Sequence, residues 1–314
     1  MKLTQIVNFK LGRSVQGFYL CKEKHLRHTR NGALFLDMVL TDATGKIPGK
    51  MWELVDDFKH RFDSGDPVAV KGKIGEFNDQ LQLTVTQINL ASDGQYGKYG
   101  FSTEILLKSV EEPIDELWKR MINILENLKP PFKGLVTTIF ALYKKKIQMI
   151  PASIHHHHPV RGGFLKHLVT TAEIALENIR HYPSLDRDLA LAGILLHDIG
   201  KVKSINDELV PDHTEEGKLI GHIILGRDIV IETAGAMKKI PEDILIKLEH
   251  IILSHQGLPE KGSVSSPRFP EALFVHYIDE LDSRMNQMLN AIDDDSNLSW
   301  TDRHNLFRHE LYKK

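Results

Sequence analysis

Cysteine is almost absent from this sequence, whose 314 residues include only Cys21. A single cysteine excludes an internal disulfide and a zinc site built from several cysteines. A strong charge of one sign is also absent, since the formal net charge is -2 with 26% charged residues.

Long apolar runs are missing as well. No segment approaches the ~20 apolar residues of a membrane span. The first residues, from Met1 to Gln5, do not have the shape of a signal peptide. We expect no membrane partner and a cytoplasmic location. The length leaves room for two domains, each with its own core.

Histidine and charge are distributed unevenly along the chain. Twelve of the 17 histidines fall between His155 and His276. Residues 1–92 hold 13 Lys and Arg against 10 Asp and Glu, whereas residues 151–314 hold 18 against 25. A mildly basic front part and an acidic, histidine-rich back part indicate different functions.

The front part has the pattern of a small β-barrel. Five short runs with turn residues between them predict strands at 15–20, 33–40, 47–52, 67–74 and 80–88, with one helix at 53–62. This order is typical of a five-stranded oligonucleotide/oligosaccharide-binding (OB) barrel. We therefore predict a multidomain β + α protein whose first domain covers residues 1–92.

The same stretch resembles the OB domains of nucleic-acid-binding proteins, through Phe35-Leu36-Asp37, the run from Leu40 to Gly45, and Gly65-Asp66-Pro67-Val68. The resemblance implies a partner such as single-stranded RNA, or single-stranded DNA. A basic loop between the first two strands would contact phosphates, and aromatic rings would stack on bases. The predicted contacts are Lys22, Lys24, Arg27, Arg30, Phe35 and Trp52; the alternative for the two aromatics is a place in the core.

The rest of the chain is predicted to be helical. Residues 93–150 combine a polar, glycine-rich linker with two amphipathic helices at 113–128 and 131–149, whose apolar faces leave room for a homo-oligomer. Residues 151–314 form an all-α bundle, with helices at 163–181, 186–199, 214–237, 241–254 and 270–292 and a short one near 301–312.

The bundle carries candidate metal ligands. His197 and Asp198 end a buried apolar helix, and an unpaired buried aspartate is costly unless a partner such as a metal ion neutralises it. His167, His222, His255 and Asp279 lie within other apolar helices and would converge in the middle of the bundle. Imidazole and carboxylate ligands suit manganese, iron, cobalt or zinc. Asp282, one turn after Asp279, is the competing carboxylate.

This order of histidines and aspartates resembles the HD superfamily of metal-dependent phosphohydrolases. The resemblance implies two divalent ions. His167, His197, Asp198 and Asp279 would hold one, and Asp198 would bridge to a second held by His222 and His255. Asp198 would be the central catalytic residue. Lys201, also a catalytic candidate, either holds a phosphate oxygen or pairs with a nearby acid, and His157 and His158 would line the entrance.

An OB domain followed by an HD domain is similar to the YhaM-type 3′–5′ exoribonucleases. The similarity is carried by the run from Gly162 to His167 and by Leu253-Ser254-His255-Gln256-Gly257. It implies a metal-dependent phosphodiesterase that shortens single-stranded RNA, or DNA, from the 3′ end. One alternative is hydrolysis of a small nucleotide, such as a cyclic dinucleotide or a nucleoside triphosphate. The other is a non-enzymatic nucleic-acid-binding regulator. Gln256 departs from the family, whose members often carry a second histidine there.

Overall fold

The computed structural model describes residues 3–237, 240–295 and 297–313. By its internal contacts the chain divides into two compact units. The first comprises Met1–Ser109 together with Glu208–Val210, and the second comprises Val110–Asp207 and Pro211–Lys314. Each unit has its own hydrophobic core.

The first unit is a closed five-stranded barrel. Its strands are β1 (Ser14–His28), β2 (Leu34–Asp42), β3 (Gly45–Met51), β4 (Pro67–Phe77) and β5 (Gln80–Leu90), in the order β1-β2-β3-β5-β4. β3 pairs with β5 in parallel, and β1 closes the barrel by pairing with β4 in antiparallel register. The predicted OB-type barrel with five strands is confirmed.

Alternation of apolar and polar residues decides which side chains fill this barrel. Along β4, Val68, Val70 and Ile74 are buried in the core, while Lys71 and Lys73 face outward. A bulge between Lys71 and Gly72 shifts the register against β5. The predicted helix between the third and fourth strands is a single turn, α1 (Val55–Phe58).

The segment after β5 folds onto the outside of the barrel. It contains the one-turn helix α2 (Asp93–Tyr96) and two short 3-10 turns. Phe101 is buried and its ring lies 5.1 Å from that of Phe18 in an edge-to-face contact. Part of the stretch predicted as a linker is therefore packed structure.

The second unit is helical. Its helices are α3 (Ile114–Glu126), α4 (Phe132–Met149), α5 (Gly163–Asn178), α6 (Arg187–Leu196), α7 (Lys201–Ser204), α8 (Glu215–Leu219), α9 (His222–Met237), α10 (Glu242–Ser254) and α11 (Pro270–Asp293). Helix α6 is buried from Leu189 to Leu196, as its unbroken apolar run requires. The predicted helical bundle is confirmed. In the described residues, no helix has both the length and the apolar character needed to cross a membrane.

Two predicted helices are wrong in detail. The helix predicted at 214–237 is divided into α8 and α9 at Gly221, whose φ of 84° lies in the left-handed region. Near 301–312 the chain forms turns rather than a helix. There Trp300 and Tyr312 pair as a β-bridge, and the Thr301 hydroxyl accepts a hydrogen bond from the Leu311 amide.

Candidate metal centre

Helix α5 brings His167 into the centre of the bundle. Two glycines begin this helix because the chain is tightly packed there. Gly162 has a φ of 77°, and a Cβ on Gly163 would lie 2.0 Å from the carbonyl oxygen of His158. His167 follows one turn later and is fully buried.

His197 and Asp198 lie at the end of helix α6. The Nδ1–H of His197 donates to the carbonyl oxygen of Ile194 at 2.7 Å, which aims Nε2 away from its own helix. His255, at the end of α10, repeats the arrangement by donating from Nδ1 to the Ile252 carbonyl oxygen at 2.7 Å. Both rings are therefore held in the tautomer that leaves Nε2 free to bind a metal.

The first ligand group consists of His167, His197 and Asp279. The two Nε2 atoms lie 3.3 Å apart, and Asp279 Oδ1 lies 3.4 Å from His167 Nε2 and 3.6 Å from His197 Nε2. His167 donates from Nδ1 to Asp282 Oδ2 at 2.7 Å. With both Nδ1 atoms committed as donors, two imidazole lone pairs and a carboxylate oxygen face one point.

The second ligand group consists of Asp198, His222 and His255. Asp198 Oδ1 lies 3.3 Å from His222 Nε2 and 3.6 Å from His255 Nε2. The other oxygen of the same carboxylate, Oδ2, lies 3.4 Å from His197 Nε2. The two oxygens of Asp198 are thus divided between the two groups, which is the arrangement that a bridging carboxylate requires.

The chemistry of these residues fits divalent cations. Asp198 Oδ1 is buried and has no hydrogen-bond partner among the described groups. Leaving a buried polar atom without a partner costs about 1–3 kcal/mol, and more for a charged group. The ligand atoms within each group of three all lie within 4.8 Å of one another. Imidazole nitrogens and carboxylate oxygens are the ligands that first-row transition metals accept. Both groups could therefore hold a divalent metal ion.

The electrostatic field of the pocket favours a cation. Burial by itself would lower the pKa of His197, but the carboxylates of Asp198 and Asp279 raise it to about 10. Burial would raise the pKa of Asp279, but His197 and His167 hold it well below its usual range. Burial would also raise the pKa of Asp198, but Lys201 and His197 hold it well below its usual range. The carboxylates stay ionised, so positive charge is stabilised between them.

Other side chains complete the site. Lys201 is buried and pairs through Nζ with Asp198 Oδ2, so it takes the acid-pairing role that the sequence left open. Asp282 accepts hydrogen bonds from His158 at 3.0 Å as well as from His167, and so orients the first ligand group. The sequence predicts Asp282 only as a competing ligand; its spacing of three residues from Asp279, on the same helix face, is the signal for a place beside the site.

Gln256 and His157 border the two ligand groups. Gln256 Nε2 lies 3.4 Å from His222 Nε2, so the amide contacts the ligand atom rather than replacing it. His157 Nε2 is buried without a hydrogen-bond partner among the described groups, and burial lowers the pKa of His157 to about 2. Its ring lies 5.2 Å from that of His167, so His157 borders the site as a neutral imidazole.

The barrel carries the predicted nucleic-acid contacts on its β1–β2–β3 side. The rings of Phe35 and Trp52 stack with centroids 4.6 Å apart. Phe35 is buried, whereas Trp52 is 45% exposed, so only Trp52 presents a free ring face. Arg27 and Lys50 both pair with Asp37, at 3.0 Å and 2.9 Å.

The predicted basic loop is wrong. Strand β1 continues to His28 because the residues from Glu23 to His28 pair with β2, so Lys22, Lys24 and Arg27 lie on a strand. Arg30 lies in the turn that follows, and both Lys22 and Arg30 are exposed. Lys24 is not a free cation, because its Nζ donates to the carbonyl oxygens of Lys59, at 2.7 Å, and of Phe62. It holds the chain after α1 instead of presenting its charge to a phosphate.

Comparison with known families agrees with both halves of the structure. The family model of the HD domain matches residues 164–284, and the model described as an OB-fold nucleic acid binding domain matches residues 22–91. A third model, of a helicase family, matches residues 102–185. The fold and the site therefore define a metal-dependent hydrolase of the HD class with a nucleic-acid-binding barrel.

A curated relative identifies the family. The 3′-5′ exoribonuclease YhaM of Oceanobacillus iheyensis is 32% identical over 283 residues, which cover 90% of this chain and 88% of the relative. This chain belongs to the YhaM family, and its function is of the nuclease type. Among solved structures, the second OB-fold domain of replication protein A from Methanococcus maripaludis is 21% identical over 29% of this chain and 96% of its own, with a TM-score of 0.25.

Proposed function

We propose that this protein is a 3′–5′ exonuclease that hydrolyses the phosphodiester bonds of single-stranded RNA, or DNA. In this proposal the barrel, with residues 1–92 as the first functional domain, binds the strand. Residues 93–150 connect it to the catalytic domain at 151–314. The relative's name supports the direction and the substrate, and the metal centre supports the chemistry.

The observation that carries the proposal is the division of the Asp198 carboxylate between two ligand groups. We propose that His167, His197, Asp198 and Asp279 hold one divalent ion and that Asp198, His222 and His255 hold a second. Manganese, iron, cobalt and zinc all suit such ligands. A bound pair of divalent ions supplies an activated water and neutralises charge on the phosphate.

The chain's own residues position this chemistry. Carbonyl oxygens and Asp282 hold the imidazoles of His167, His197 and His255 in one tautomer, so no reorganisation is needed when substrate binds. Lys201 places a fixed positive charge beside Asp198. In our proposal that ammonium also attracts a non-bridging oxygen of the scissile phosphate.

Burial of the ligands supports an exonuclease over an enzyme that cuts within a strand. His167, His197 and His255 are at most 1% exposed and Asp198 is 3% exposed. A continuous strand cannot lie across a site of this depth, whereas a terminus can enter it. The same burial agrees equally well with a second candidate function, hydrolysis of a small nucleotide.

One experiment distinguishes the exonuclease from the small-nucleotide hydrolase. The full chain, loaded with manganese, is incubated with a 5′-labelled single strand, and products are followed with time. We expect stepwise shortening from the 3′ end with release of nucleoside monophosphates, and protection of a strand blocked at its 3′ terminus. Turnover restricted to cyclic dinucleotides or triphosphates would establish the small-nucleotide enzyme instead. Binding without any turnover would favour a regulator.

A further inference from the structure

A groove of about 400 Å³ lies on the outer surface of the barrel, on strands β1, β4 and β5. Trp52, whose exposed ring is a predicted nucleic-acid contact, is instead the residue after strand β3. This volume falls within the range of small-molecule sites, which is roughly 300–1,000 Å³. The predicted nucleic-acid contacts do not include any residue that lines the groove.

Strand register builds the floor of the groove in two rows. Gln16, Lys71 and Gln87 are direct cross-strand neighbours on β1, β4 and β5. The adjacent row is formed in the same way by Phe18, Ala69 and Asn89. These side chains point outward because their alternates fill the barrel core. The short side chain of Ala69, in the middle of the second row, leaves the floor open.

The segment that folds back after β5 forms one wall. Tyr99 is 57% exposed, and Lys98 Nζ lies 5.1 Å from the centroid of its ring. The ring of Tyr96 lies 6.4 Å from that of Tyr99 and 5.6 Å from that of Phe18. Aromatic faces and an ammonium group therefore border the open floor.

The chemistry of the lining matches a nucleotide. Among the described residues around the groove none is acidic, and three aromatic rings, three carboxamides and two lysines are present. Aromatic rings stack on bases of any sequence. Carboxamides donate to and accept from base edges, and lysine binds phosphate as a point charge.

We propose that this groove binds a nucleotide, with the base against Tyr99 and the phosphate near Lys98 and Lys71. The nucleotide is either one unit of a bound single strand or a free nucleoside monophosphate, and the two sources share the same chemistry. The groove is a second site on the barrel, separate from Trp52. Binding here needs no metal, so it is testable apart from the proposed hydrolysis.

The first arm of the test measures strand binding by the full chain in EDTA, with a fluorescent 16-nucleotide single strand. Tyr99→Ala should weaken binding about tenfold, which is typical of losing one base stack. Lys98→Ala should lower the slope of log affinity against log salt by about 0.7, since one phosphate contact is lost. Tyr182→Ala and Lys10→Ala are the controls, because Tyr182 is a comparably exposed tyrosine, at 55%, and Lys10 an exposed lysine.

The second arm titrates 5′-AMP into the full chain by calorimetry. If the groove takes a free nucleotide, the wild type and Tyr182→Ala bind 5′-AMP and Tyr99→Ala binds it at least about tenfold more weakly. If it takes a unit of the strand, only the oligonucleotide affinity falls. Either result supports the groove as a nucleotide site.

Unchanged affinity for both ligands in Tyr99→Ala and Lys98→Ala would overturn the inference, whatever the enzyme's activity. Hydrolysis that persists alongside unchanged binding would leave the proposed function intact. Groove-dependent binding without hydrolysis in metal would instead refute the exonuclease and leave the groove in place. Circular dichroism of each variant should match the wild type, since Tyr99 and Lys98 are exposed.

Discussion

Asp282 orients His167, a proposed metal ligand, without belonging to either proposed ligand group, so its substitution isolates the contribution of orientation. One oxygen of its carboxylate accepts hydrogen bonds from His167 Nδ1 at 2.7 Å and from His158 Nε2 at 3.0 Å. In Asp282→Asn the amide can donate to His167 Nδ1. The proton on that ring would then move to Nε2, and the lone pair that faces the site would be lost.

The expected magnitude follows from this contact. Substitution of a residue that orients a ligand lowers metal affinity by about 10–100-fold, equivalent to about 1.4–2.7 kcal/mol. We expect this loss for the first ligand group of His167, His197 and Asp279, while the group of Asp198, His222 and His255 keeps its affinity. Calorimetric titration of manganese into the metal-free protein measures both affinity and stoichiometry.

Glu280→Gln is the matched control. Glu280 lies on the same helix and has the same kind of charge, but it is partly exposed, and among the described residues it pairs with Lys261 and Arg284. Surface pairs of this type contribute about 0–1 kcal/mol, so metal affinity should not change. Equal affinity of Asp282→Asn and wild type would refute the orienting role. Complete loss of one ion from Asp282→Asn would indicate that Asp282, rather than Asp279, is the carboxylate ligand of the first group.

Three further variants, the last with a matched control, test other parts of the structure. Asp198→Ala should abolish hydrolysis and reduce the metal content measured by elemental analysis, because the two oxygens of this carboxylate face the two proposed ligand groups; retained activity with full metal content would refute the bridging role. Trp52→Ala should weaken single-strand binding by about 1–3 kcal/mol in a polarisation assay without changing metal affinity; an unchanged dissociation constant would exclude this ring from the interface. Gly200→Ala should lower the free energy of unfolding in urea by about 1–3 kcal/mol or more, because its Cβ would lie 1.9 Å from the carbonyl oxygen of His222. Gly235→Ala, in the same unit with nothing within 4 Å of the new Cβ, should instead be neutral or stabilising, by up to about 1 kcal/mol, and the reverse order would contradict the packing.

Local patterns in the sequence predict the fold class and most of the strands and helices. Alternating apolar residues predict the five strands because side chains of a strand point to opposite faces in turn. The unbroken apolar run before His197 predicts a buried helix, because a helix that is apolar on all sides must be surrounded by protein. Histidine and aspartate inside apolar helices need a partner, which identifies the candidate ligands. The resemblance to the HD superfamily then assigns each of them to one of two metal ions.

Only the tertiary structure decided the roles of residues whose partners are distant in sequence. In the sequence Lys24 is one more cation of a basic run, yet in the structure its Nζ donates to the carbonyls of Lys59 and Phe62, in the segment after α1. The hydrogen bond between Asp282 and His167 joins residues 115 positions apart. The groove at Ala69 exists because strand register aligns β1, β4 and β5. Periodicity reports which face of an element is apolar, but contacts between elements depend on register and packing, which no local pattern encodes.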